Sequence, residues 1–199
     1  MGCRICTEAV HPDGLSVFVA CHLIPLDKQP GVRPIGIGEV PRCIIAKAVL
    51  RLVDLDIRIA CGALQVCAGC EGGCEAAVHA MQQLFHDPGC QAALLVDASN
   101  AFNSVNRQAA LHNILRLCPP LAQILINTYQ SPVRMVIPGS GGLVSTEGTT
   151  QGDPLAMAMY ALAVIPLIRQ LHSSVTAVSQ VWYADDAIGV GTCTSLQKW

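Results

Sequence analysis

The chain has 199 residues, 52% of them apolar and only 13% charged, with a formal net charge of −2. That length suits one domain or part of a larger one, and the charge balance argues against a general nucleic-acid binder, because phosphate contacts need cations. Such a composition can bury a sizeable core but leaves a surface unusually bare for a free-standing soluble protein, which implies a missing neighbouring domain or partner surface.

Residues 1–22 are weakly patterned. Leu23 to Ile37 is rich in Pro and Gly (Pro25, Pro30, Gly31, Pro34, Gly36) and reads as a turn-rich hairpin. Pro41 to Leu55 carries Ile44, Ile45, Ala48, Val49 and Leu52 at helical spacing, so a helix is expected. Six of the twelve Lys and Arg residues lie between Lys28 and Arg58, a basic cluster in an otherwise weakly charged chain. Gly72-Gly73 opens a second helix to about Phe85, stopped by Asp87-Pro88-Gly89.

Gln91 to Asp97 follows as an apolar strand, expected to be buried and ending in a carboxylate. A helix through Phe102, Val105, Leu111, Ile114 and Leu115 is halted at Pro119-Pro120, and Pro120 to Tyr129 forms another. Val133–Ile137 and Leu143–Thr146 make a hairpin around Gly139-Ser140-Gly141-Gly142. Pro154 is expected in the first turn of a long apolar helix, with Asp153 as its N-cap. Val175 to Val190 closes the chain as a second hairpin with Asp185-Asp186 at its tip. Mixed order with hairpins predicts an α+β fold, an antiparallel sheet backed by helices on one face.

Eleven scattered cysteines without a leader-like N-terminus read as reduced thiols in an intracellular protein, cytoplasmic or nuclear rather than secreted. Cys61, Cys67, Cys70, Cys74 and His79 follow the spacing C-x5-C-x2-C-x3-C-x4-H, which fits no standard zinc-site pairing, so a structural role is expected. Met1-Gly2-Cys3 lacks the Ser or Thr that N-myristoylation needs at position six, where Cys6 stands. Pro154 to Ile168 is too short for a membrane span.

Chemistry concentrates in three carboxylates. Asp185 and Asp186 sit side by side in the apolar run Val181 to Val190, where like charges repel and lose hydration unless a cation joins them. Asp97 ends a strand of the same predicted sheet, so neighbouring strands would bring all three to one edge. Such a cluster suits two Mg²⁺ ions roughly 3.5–4 Å apart, the arrangement that clamps attacking and leaving oxygens in phosphoryl transfer.

Val96-Asp97-Ala98-Ser99-Asn100-Ala101-Phe102, Gln151-Gly152-Asp153-Pro154 and Tyr183-Ala184-Asp185-Asp186 resemble motifs A, B and C of the reverse transcriptase palm, in that family's order. Arg33-Pro34-Ile35 and the helix from Arg42 to Leu50 resemble the fingers segment of non-long-terminal-repeat retrotransposon polymerases. The resemblance implies a truncated right-hand polymerase with its thumb absent. Residues 1–22 would be an N-terminal segment, 23–90 partial fingers and 91–199 a palm.

The resemblance also assigns roles. Asp97 and Asp185 would bind metal with the backbone carbonyl of Ala98, and Asp186 would act electrostatically beside them. Phe102 would be the gate against a ribose 2′-hydroxyl. Gln151 and Gly152 would line the nucleotide and template pocket, Lys28 and Arg33 would hold the triphosphate, and Tyr183 would support the primer end. The implied partners are an RNA template, a DNA primer, deoxynucleoside triphosphates and Mg²⁺, with Mn²⁺ as substitute, and no membrane. The remainder of the element's polyprotein would be missing. The alternatives are an RNA-dependent RNA polymerase, an inactive retroelement remnant that binds nucleic acid without catalysis, and a small zinc-binding module at Cys61 to His79.

Overall fold

The computed structural model describes residues 2–139 and 141–199. Ser140 of the glycine-rich turn and Met1 of the acylation motif lie outside them. The weakly patterned start is helical, as α1 (Gly2–Thr7) and α2 (Pro12–Val19), where Pro12 occupies a first-turn position that needs no N–H. Asn127 fastens this segment: its Nδ2 donates to the carbonyls of Ile5 and Glu8, both at 2.8 Å, and its Oδ1 accepts from Val10 N.

The proline-rich stretch forms the hairpin β1 (Cys21–Asp27) and β2 (Val32–Gly38), paired from Cys21↔Gly38 to Asp27↔Val32. The helix expected over 41–55 is two helices, α3 (Val40–Leu52) and α4 (Asp54–Cys61). Val53 leaves the helical path at φ −106°, ψ 12°, and Asp54 and Asp56 then favour a fresh N-terminus through its positive dipole end.

After α5 (Gly73–Phe85), β3 (Ala92–Asp97) leads into α6 (Ala101–Ser104), α7 (Arg107–Leu117) and α8 (Pro119–Tyr129). The break between α6 and α7 comes at extended Val105, and Asn106 caps α7 by accepting from Ala109 N at 2.8 Å. The hairpin β4 (Val133–Val136) and β5 (Leu143–Ser145) precedes α9 (Ala156–Ser174), which begins two residues after Pro154. Pro166 lies inside α9 and cannot donate to the Leu162 carbonyl; Asn113 Nδ2 of α7 donates to the neighbouring carbonyl of Ala163 at 2.9 Å. The chain closes with β6 (Ser179–Tyr183), β7 (Asp186–Gly191) and α10 (Cys193–Leu196).

Two sheets replace the single one expected. One has the order β2-β1-β4-β5, its hairpins joined by a short parallel pairing at Cys21↔Met135 and His22↔Val136. The other is antiparallel, β3-β7-β6. The core is built on α9, whose Met159, Leu162, Ile165 and Ile168 are fully buried along with Ile114 of α7 and Leu121, Leu125 and Tyr129 of α8. Among the described residues no helix is long and apolar enough to cross a membrane.

The strand that ends in Asp97 is not buried. It forms one edge of its sheet, and α5 packs beneath β6 and β7 through Ala77, Met81, Val181 and Val190 without extending under β3. Leu94, Leu95 and Val96 are therefore exposed, Leu95 by 71%.

Candidate active site

The register of the second sheet sets the carboxylates. Asp97, the last residue of β3, stands directly across from Asp186, the first residue of β7. Ala184 and Asp185 form the two-residue turn from β6, so only Asp185 occupies the tip; Asp186 already belongs to the strand. Like charges facing each other across a ladder are unfavourable. Partial desolvation, reinforced by the charges of Asp185 and Asp97, holds the Asp186 carboxyl above the usual carboxylate range.

All three carboxylates line one open cavity of about 520 Å³. Ala98, Phe102 and Gln151 share its wall, and Lys28 from the β1–β2 turn and Arg33 from β2 also border it. The donor set, hard carboxylate oxygens in an open pocket, suits Mg²⁺, which keeps several waters and completes its shell with phosphate oxygens. Among the described residues no three His, Cys, Asp or Glu side chains close on one point as a ready-made ligand cluster. Gly152 borders an adjoining cavity together with Arg33, Phe102, Gln151 and Asp185. Tyr183 is exposed at the end of β6, opposite Asp186, and lines neither cavity.

Phe102 enters the cavity because the chain turns sharply after Asp97. Asn100 adopts the left-handed conformation at φ 55°, its Oδ1 accepting from Asn103 Nδ2 at 2.8 Å, and α6 starts at once. The Phe102 ring stacks on Tyr160 of α9, which burial, with the charge of Asp185, pushes up to about 12. Asn100, Asn103 and Tyr160 were not singled out from the sequence, although Asn is the residue that best tolerates positive φ after glycine.

The loop before α9 is pinned from two sides. Gly36 N donates to the carbonyl of Gln151 at 2.7 Å, and Gly152, at φ 103°, lies so close to β2 that a Cβ there would stand 2.6 Å from the Gly36 oxygen. On the other side Asp153 is buried and accepts from the Arg42 guanidinium of α3 and, at 2.5 Å, from the Tyr129 hydroxyl of α8. Its other oxygen accepts from Leu155 N at 3.0 Å, so Asp153 caps the approach to α9 while Leu155 holds the N-cap position itself. Arg42, one of the basic cluster, is thus a buried clamp and no part of a solvated face. Gln151 Oε1 is buried without a hydrogen-bond partner.

The cysteines of the 61–74 segment are free thiols of unequal burial: Cys61 buried, Cys67 half-buried, Cys70 and Cys74 exposed.

Helices packed on one side of a three-stranded antiparallel sheet, with carboxylates on a tight hairpin facing a carboxylate on the adjacent strand, define a right-hand polymerase core. The chain belongs to the reverse transcriptase (RNA-dependent DNA polymerase) family, whose model matches residues 28–194. The fold is similar to apo telomerase from Candida tropicalis, with a TM-score of 0.68 at 11% identity over 96% of this chain and 41% of that one. A C-terminally truncated form of that telomerase gives 0.64 at 12% identity, covering 91% and 45%. Candida albicans telomerase in complex with a TWJ fragment of telomeric RNA gives 0.63 at 10% identity, covering 89% and 39%. The chain therefore spans less than half the length of these structures, and at such identities the likeness is one of fold. No curated protein sequence matches it.

Proposed function

We propose that this chain is the fingers and palm portion of an RNA-directed DNA polymerase of a non-long-terminal-repeat retrotransposon, adding deoxynucleotides to a primer 3′-hydroxyl on an RNA or DNA template. The observation that carries the reading is the shared cavity, which combines three carboxylates, two cationic side chains and an aromatic ring.

Asp97 and Asp185, with the carbonyl of Ala98, would hold the cations, and Asp186 would add negative potential next to them. Two divalent ions, when bound, would supply a lowered pKa for the primer hydroxyl and neutralise the leaving phosphates. Arg33 offers a planar fork to the triphosphate oxygens, with Lys28 as a second positive charge. Phe102, which lines the cavity, would set its ring against the 2′-hydroxyl of a ribonucleotide. Gln151 and Gly152 would face the incoming nucleotide and template, and Tyr183, outside the cavity, would bear on the primer end.

Primer extension on an RNA template with Mg²⁺ and deoxynucleotides, set beside the Asp97→Asn, Asp185→Asn double variant, tests this. Extension lost in the variant supports the polymerase reading. Template-primer binding without extension by either protein favours a nucleic-acid-binding remnant.

A further inference from the structure

Gln65 takes no part in the reaction outlined above, yet it is 1% exposed and its amide is committed to a single residue of the carboxylate hairpin. Gln65 Nε2 donates to the carbonyl of Ala184 at 3.1 Å, and Gln65 Oε1 accepts from Ala184 N at 2.9 Å. Ala184 is the turn residue immediately before Asp185. It holds φ at 56°, a conformation in which the Cβ of an L-residue crowds its own carbonyl and which a single alanine rarely keeps unaided.

The backbone around Gln65 is fixed to the same hairpin. Val66 N donates to the Trp182 carbonyl at 2.9 Å, and Trp182 N donates to the Leu64 carbonyl at 2.7 Å, which makes a one-residue parallel bridge between Gln65 and Trp182. The side chain therefore starts from a rigid base, and its planar amide matches donor to acceptor and acceptor to donor. On the far side of the turn Ala184 packs with Ala101 and Tyr160, so the turn is held by hydrogen bonds behind and apolar contact in front. A buried amide with both ends satisfied on one residue specifies that residue's conformation, because any other backbone angle at Ala184 would orphan two buried polar groups.

We infer that Gln65 is a positioning residue for the carboxylate hairpin, its side chain clamping Ala184 in the left-handed turn that delivers Asp185 to the cavity it shares with Asp97. The inference rests on the polymerase reading for the purpose of Asp185, and not for the clamp itself. It assigns a function to the 64–66 segment, which no motif of the sequence marks.

The test compares wild type with Gln65→Met, of similar length but unable to hydrogen-bond, and Gln65→Glu, which keeps an acceptor for Ala184 N. Amide hydrogen exchange at Ala184 reads the clamp, and Mn²⁺ affinity reads the carboxylates. Gln65→Met is expected to speed exchange at Ala184 and to weaken Mn²⁺ binding roughly tenfold, the scale of a lost hydrogen-bonded contact. Gln65→Glu should exchange at an intermediate rate. Adding Ala184→Gly to Gln65→Met should restore part of the Mn²⁺ affinity, since glycine adopts positive φ without the Cβ clash; a side chain that only filled core volume would show no such rescue. Unchanged exchange at Ala184 in both Gln65 variants, or faster exchange with unaltered Mn²⁺ affinity, would overturn the inference. A wild-type chain that binds Mn²⁺ but never extends a primer would count against the polymerase reading and leave the clamp standing.

Discussion

Phe102 and Tyr160 stack with ring centroids 4.6 Å apart and planes inclined by 23°. Tyr160 is nearly buried on α9, while Phe102 is half-buried and faces the cavity, so the inner ring acts as a backing plate for the outer one. Phe102→Ala should admit ribonucleotides in a longer polymerase that contains this segment. Tyr160→Ala should relax sugar discrimination less, because it leaves the Phe102 ring in place but removes a stacking partner contributing about 0.5–1.5 kcal/mol. Steady-state incorporation of ribonucleotides against deoxynucleotides measures both. Unchanged discrimination in Phe102→Ala would return Phe102 to an ordinary packing role.

Partial desolvation first, then the charges of neighbouring Asp185 and facing Asp97, push the Asp186 carboxyl up from its ordinary value. Asp185→Asn removes one of those charges, so the Asp186 pKa should fall, which a carboxyl-carbon NMR titration reads directly. The sign for stability follows from the raised value. The folded chain holds this proton more tightly than the unfolded chain, so the group favours folding at acid pH, and that advantage disappears as pH rises through the folded pKa. A cation competes with the same proton, so divalent affinity should rise over the same interval.

Arg42 and Asp153 form an ion pair whose side chains are 4% and 1% exposed. Arg42→Met would leave the Asp153 carboxylate buried with Tyr129 and Leu155 N as its remaining donors, at a cost of about 3–5 kcal/mol in urea unfolding. The double variant Arg42→Met, Asp153→Leu should cost clearly less than the two single changes added together, since it leaves no lone charge. Additive losses would show that the pair is not coupled.

Burial pushes the thiol of Cys61 up to about 12 and that of Cys67 up to about 11. At pH 8 both are almost wholly protonated, and the thiolate is the nucleophile. Iodoacetamide should therefore label the exposed Cys3, Cys70, Cys74 and Cys193 first, with Cys61 and Cys67 reacting only on unfolding. Peptide mass spectrometry over a time course distinguishes the two groups.

What local pattern could reveal, it did. The 23–37 hairpin, the Gly73–Phe85 helix and the three motif-bearing elements stand close to their expected bounds, because prolines, glycines and apolar periodicity act within a few residues. What depended on tertiary context was hidden. The hydropathy of Ala92–Val96 reads the same whether or not a helix lies beneath the strand, and here α5 covers only its neighbours. Nothing in the basic cluster marked Arg42 as buried, because its partner Asp153 is more than a hundred residues away and Tyr129 joins them from another helix. That Asp185 alone occupies the tip while Asp186 belongs to the strand depends on where the two-residue turn closes, which a run of adjacent carboxylates does not encode. Residues 1–22 went unassigned because their helices are short and rely on Asn127, far along the chain, to hold them.

The open edge of β3 carries a practical consequence for anyone handling the protein. Leu94, Leu95 and Val96 lie on a strand with one side unpaired, with neither a bulge nor a Lys along it to turn a neighbour away. In concentrated solution two molecules can zip together there, strand to strand, so light scattering should climb with concentration and fall when Leu95→Lys places a charge on the seam.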